Sequence, residues 1–137
     1  MITVFVPGVP APQGSAKAFV VNGHAIVTHD NENTMPWRSQ VASFIRQAIG
    51  PVGIVYPTGP VTVDILFLMP RRKAEPKRVT PAHTRKPDCD KLLRACLDAL
   101  TGLIYTDDAQ VTQISVEKRT AHLGEQPGAR ITWSTDA

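Results

Sequence analysis

Apolar and polar positions along this chain recur with two periods, and the period assigns each element. Ile2–Val6 is a short β-rich run ended by Pro7-Gly8. Val9–Lys17 is rich in Pro, Gly and Ser and reads as a loop. Phe19–Val21 and Ala25–Thr28 flank Asn22-Gly23, a pair that accepts the positive φ angles of a tight hairpin turn. His24 then follows that turn. Asn31–Thr34 supplies an N-cap, and Pro36 sits in the first helical turn, where its missing N–H costs nothing. Trp37, Val41, Phe44, Ile45, Ala48 and Ile49 recur at three- and four-residue steps, one helical face, until Gly50-Pro51 stops it.

Val61–Met69 is the strongest strand pattern in the chain, and its apolar middle predicts a central position in a sheet. Pro70–Pro87 has no apolar period and is predicted to be a loop that moves when unbound. Lys91–Leu100 follows as a helix, with Leu92, Leu93, Cys96, Leu97 and Leu100 on one stripe and Gly102 as its stop. Val111–Arg119 alternates as a strand, and Ala129–Ser134 is the last one. The order β, β-hairpin, α, β, α, β, β predicts an α+β, or mixed α/β, domain. Its sheet is expected to be largely antiparallel or mixed, with two main helices packed on it.

A length of 137 residues fits one domain over positions 1–137. No apolar run approaches the ~18–20 residues that a membrane span needs. The first residues lack the charged start and apolar stretch of a signal peptide. These features predict a cytoplasmic protein with no membrane partner. Cys89 and Cys96 match no common zinc spacing, and Cys96 reads as a small core residue. His24, His29, His83 and His122 are scattered and read as surface residues, with His83 near any bound polyanion.

Charge changes the picture through its placement. Nine basic residues lie between Arg71 and Arg94, against only Glu75, Asp88 and Asp90 on the acidic side. The rest of the chain is net acidic. A local basic stretch is what a polyanion partner requires, so Arg71, Arg72, Lys73, Lys77, Arg78, Arg85 and Lys86 are candidate phosphate contacts.

That stretch surrounds Asp88 and Asp90. Pro87 forces an extended entry, and side chains two apart in extended chain point the same way. Two such carboxylates repel each other unless a cation lies between them, and Mg²⁺ prefers oxygen ligands of this kind. The plainer reading makes one Asp an N-cap. A second pair, Asp107-Asp108, reads alone as a turn.

Asp88-Cys89-Asp90-Lys91-Leu92-Leu93-Arg94, the Asp98-Ala99-Leu100 helix end and Asp107-Asp108-Ala109-Gln110-Val111 together resemble the signature of the RusA family of Holliday junction resolvases. The match is strong over Arg85–Lys118. The resemblance implies a small homodimeric endonuclease, often prophage-encoded, that cuts four-way DNA junctions with Mg²⁺, for which Mn²⁺ is a possible substitute. It implies Asp88, Asp90 and Asp108 as metal-binding catalytic carboxylates. Two positions depart from the family pattern: Lys91 stands for its Asn and Arg94 for its Lys. Arg cannot release its proton, so either Arg94 supplies charge only or Lys91 shares the basic role. Two other readings remain: a nucleic-acid-binding module without catalysis, and a nuclease for other branched DNA.

Overall fold

The computed structural model describes residues 1–14, 16–29 and 31–135, without the side chains of residues 16, 17 and 27–29. Strands β1 (Ile2–Pro7), β2 (Ala16–Val21) and β3 (His24–His29) precede helix α1 (Thr34–Ile49). Strand β4 (Val61–Met69), helix α2 (Cys89–Leu100), strand β5 (Val111–Thr120) and strand β6 (Gly128–Ser134) follow. The expected element order holds. The structure is an α+β fold.

The main sheet runs β1-β6-β4-β5, and β2 and β3 form a separate hairpin. β4 is central, as its apolar middle predicted. It pairs antiparallel with β6 and parallel with β5, so the sheet is mixed. A parallel neighbour needs a crossover, and α2 provides it. Asn22 and Gly23 both have positive φ, at 51° and 80°, as the hairpin turn requires.

Both helices cover one face of the sheet. Val61, Val63, Ile65, Phe67 and Met69 alternate along β4 toward that face and are buried, whereas Asp64 points to the open side. Trp37, Val41 and Ile45 of α1 and Leu92, Cys96 and Leu100 of α2 complete the core with Ile131 and Trp133 of β6. Burial pushes the Cys96 thiol up to about 12, which makes it the inert core residue expected. β1 ends at Gly8, whose φ of 132° favours glycine and whose Cβ position lies 3.3 Å from the Trp37 ring.

The segment between β4 and α2 contains no helix or strand, as expected, yet it is cross-braced. The Arg71 guanidinium donates to the carbonyls of Pro76 (2.6 Å), Val79 (2.8 Å) and Ala121 (3.3 Å) and to Thr80 Oγ1 (3.1 Å). Lys118 Nζ on β5 donates to the carbonyls of Arg85 (2.8 Å) and Pro87 (2.9 Å), on either side of Lys86. The loop is thereby fixed to the sheet just ahead of Asp88.

Candidate active site at the two ends of helix α2

α2 begins at Cys89, earlier than the predicted Lys91. Asp88 is therefore the extended N-cap (φ −73°, ψ 148°), and Asp90 already lies in the first helical turn. The two do not share one face of an extended strand, because the extended chain ends at Asp88 and Asp90 is already helical. Acidic residues in a first turn also favour an early start through the helix dipole. Both residues are exposed. Asp88 occupies the N-cap position, but its side chain makes no cap hydrogen bond. Among the described residues, neither carboxylate has a hydrogen bond or ion pair. Two like charges thus stand together without an internal partner.

Asp108 lies at the other end of α2. It opens a short 3-10 turn (Asp108–Gln110) that is held tightly. Asp107 Oδ1 accepts from Ala109 N–H at 2.9 Å. Gln110 Oε1 accepts from the N–H groups of Thr106 (2.9 Å) and Asp107 (3.1 Å). Gln110 Nε2 donates to the carbonyls of Tyr56 (3.0 Å) and Gly59 (3.1 Å). The end of α2 is fixed to the same region by Tyr105 Oη, which donates to the Leu97 carbonyl at 2.8 Å. Burial, and more weakly the nearby Asp108 and Asp98 charges, raise the Tyr105 pKa above the usual phenol range.

Asp98, Asp107 and Asp108 line one shallow depression with Arg38 and Thr101. Asp98 stands eight residues along α2 from Asp90, a rise of about 12 Å at 1.5 Å per residue. Asp88 and Asp90 stand two residues apart at the start of α2, and Asp108 lies beside its end. Among the described residues, no group of three or more His, Cys, Asp or Glu side chains is placed to hold a metal ion within one copy.

The two candidate basic residues also separate. Lys91 lines the large cleft beside Asp88. Arg94 is exposed on the α2 surface and lies 4.0 Å from Asp98, one turn onward. Of the predicted phosphate contacts, Arg72, Lys73, Lys77, Arg78 and Lys86 are exposed and have no ion pair among the described residues. Arg71 is spent on bracing the loop, and Arg85 pairs with Glu75 at 3.3 Å.

Beside Asp88 opens a cleft of about 900 Å³. The Pro-rich loop after β1 forms one wall, the start of α1 another, and the segment 83–88 a third. The loop is tied to α2 by Gln13 N–H, which donates to the Lys91 carbonyl at 2.9 Å. His83, expected at the surface, is only 8% exposed and lines this cleft. The bracing by Arg71 and Lys118 draws its segment inward. Burial lowers its pKa, and the Arg85 and Lys118 charges lower it further. His24 and His122 are exposed as expected, and the side chain of His29 lies outside the described set.

The family model for endodeoxyribonuclease RusA matches residues 7–132, nearly the whole chain and both ends of α2. The chain belongs to the RusA endodeoxyribonuclease family. RusA membership makes it a DNA-cutting hydrolase. It is also similar to uncharacterized protein YqaN of Bacillus subtilis (strain 168). Identity is 32% over 122 residues, covering 81% of this chain and 82% of that protein. No helix among the described residues is long and apolar enough to cross a membrane.

Three RusA-domain features escaped the sequence reading: the cleft, its Gln13 and His83 side chains, and the Lys118 brace. Gln13 and Lys118 carry no periodic or motif signal. The basic run did flag the neighbourhood of His83, though not its burial.

Proposed function

We propose that this RusA-family chain resolves four-way DNA junctions by paired phosphodiester cuts, using Mg²⁺ or Mn²⁺ held by Asp88, Asp90 and Asp108. The observation that carries this reading is the pair of unpartnered carboxylates on the first turn of α2, set directly after a basic loop. Their donor set suits a hard divalent cation: oxygen ligands, exposed, with no internal cation to answer their charge. Such a cation, when bound, would lower the pKa of a bound water and offset charge on the phosphate being cut.

The distance along α2 argues for a second copy. Asp108 is remote from Asp88 within one protomer, and a two-fold homodimer can set the Asp108 end of one α2 against the Asp88 end of its partner. The same symmetry yields two equivalent centres, as paired cuts across a junction require. Lys91, beside Asp88, holds a phosphate oxygen in the cleft mouth. Arg94 supplies fixed positive charge along α2 and is not a proton donor. Arg72, Lys73, Lys77, Arg78 and Lys86 grip backbone phosphates without reading sequence, so binding weakens steeply with salt. Arg71 and Arg85 shape that surface from within. The setting in which this activity serves is DNA recombination and repair in the cytoplasm, encoded by a phage or prophage.

Cleavage of an end-labelled four-way junction, with linear duplex of the same sequence as control, tests this reading. Symmetric nicks that need Mg²⁺ and vanish in Asp90→Asn are expected. Junction binding without cuts in Mg²⁺ or Mn²⁺ would leave a binding module only. Cuts confined to flaps or other branches would reassign the substrate.

A further inference from the structure

The cleft beside Asp88 is larger than a phosphate contact alone requires. Pro10, Pro12, Pro36 and Trp37 line it, together with Lys86 and Lys91. Besides Trp37 Nε1, two buried polar atoms on its lining residues have no hydrogen-bond partner: Gln13 Oε1 and His83 Nδ1. Orphaned buried polar atoms are uncommon in folded proteins and call for an explanation. Trp37 Nε1 is unpartnered by the same criterion but is turned toward the Cys96 sulfur in the core, so it is not aimed at a ligand. Gln13 does not need its side chain to hold the loop, because its backbone N–H already does so. His83 is more than nine-tenths buried, and burial with the Arg85 and Lys118 charges favours its neutral ring, which has one donor and one acceptor nitrogen.

Proline side chains at the cleft surface, unpartnered hydrogen-bonding groups and flanking lysines match one ligand chemistry. A nucleobase has two apolar faces and a polar edge, and it carries its phosphate with it. We infer that this cleft receives an unstacked nucleobase of the strand to be cut, with Gln13 and His83 bonded to its edge and Pro12 and Pro36 against its faces. The inference rests on the reading of the chain as a branched-DNA endonuclease. It also deepens that reading. A branch point offers bases that have already lost a stacking neighbour, whereas a linear duplex must first be unstacked. The cleft would therefore favour branched over linear DNA at the cutting step, beyond the selection made by phosphate contacts.

The test uses the full chain carrying Asp90→Asn, with four-way junctions bearing 2-aminopurine at single positions around the branch. A fluorescence rise at one or two positions is expected on binding. Gln13→Leu, which keeps the backbone tie to Lys91, should remove most of that rise while leaving junction affinity within about threefold. In the cutting-competent chain, an abasic site at the responsive position should slow cleavage roughly tenfold, the scale of one or two lost hydrogen bonds. The same abasic site should cost the Gln13→Leu chain little. His83→Gln serves as a second variant with its own unfolding curve. Cutting of junctions with no 2-aminopurine response, or with a response unchanged in Gln13→Leu, would overturn the inference and leave the endonuclease reading standing. Absence of any branched-DNA binding would overturn both.

Discussion

Asp88→Ala separates a structural carboxylate from a chemical one. An Asp at a helix N-cap is usually worth ~0.5–2 kcal/mol, because its side chain accepts a bond from the first turn. Asp88 makes no such bond. What remains is its attraction to the exposed helix N-terminus, about 0.3–1 kcal/mol. Repulsion from Asp90 opposes this by a similar amount, roughly 0.7 kcal/mol for charges ~6 Å apart in water. The two nearly cancel, so Asp88→Ala should change stability by less than about 0.5 kcal/mol. Asp107→Ala is the matched control. Asp107 also sits at a cap position, but it accepts from Ala109 N–H at 2.9 Å and shares a reciprocal box with Gln110. Its loss should cost about 1 kcal/mol. Urea unfolding of both variants reads the difference. Junction cleavage should order them the other way, with Asp88→Ala reduced on the order of 10²–10³-fold, the scale of one lost electrostatic contact to the reacting group. A stability loss above ~1.5 kcal/mol in Asp88→Ala, or retained cleavage, would refute the reasoning, because typical cap energies would then explain the residue.

Gln110→Leu breaks four hydrogen bonds that hold Asp108 in place, and should cost about 2–3 kcal/mol in urea unfolding while lowering cleavage. Lys118→Met frees the carbonyls of Arg85 and Pro87; it should cost about 1–3 kcal/mol and raise hydrogen exchange in residues 83–88 more than in β4. The Glu125 carboxyl is held down at about 2 by the Arg119 side chain and then by the His122 N–H. Its folded pKa lies below the unfolded value, so its contribution is complete above about 4.5 and is lost as pH falls through about 2. Unfolding curves over that window should decline less steeply in Glu125→Gln than in the native chain.

The elements were legible because their patterns are local. β4 carries an unbroken apolar run from Ile65 to Met69, and α2 carries an unbroken stripe from Leu92 to Leu100. Asn22-Gly23 marks a turn that few other pairs accept. The start of α2 was misplaced because Pro87 was taken to hold the chain extended through Asp90, whereas the helix begins at Cys89, where an acidic first turn suits the helix dipole. The carboxylates were legible as residue types, but their separation along α2 was not. It follows from the parallel pairing of β4 with β5, a long-range contact that returns the chain to the far end of the helix. The cleft was invisible for a similar reason. Gln13, Trp37 and His83 meet only after the N-terminal loop, α1 and the basic loop have each been fixed by separate contacts.

Subunit mixing tests the proposed metal centre shared between two copies most directly. Asp88→Asn and Asp108→Asn chains, each inactive alone, are unfolded together, refolded and assayed on a labelled four-way junction with Mg²⁺. If Asp88 and Asp90 of one copy work with Asp108 of the other, each mixed dimer regains one intact centre. About half of the assembled dimers are then mixed, so single nicks should appear at about a quarter of all centres, and they should be absent from either chain alone. If mixing restores no nicks while the native chain treated identically still cuts, the carboxylates do not combine across two copies and the account of the site is wrong.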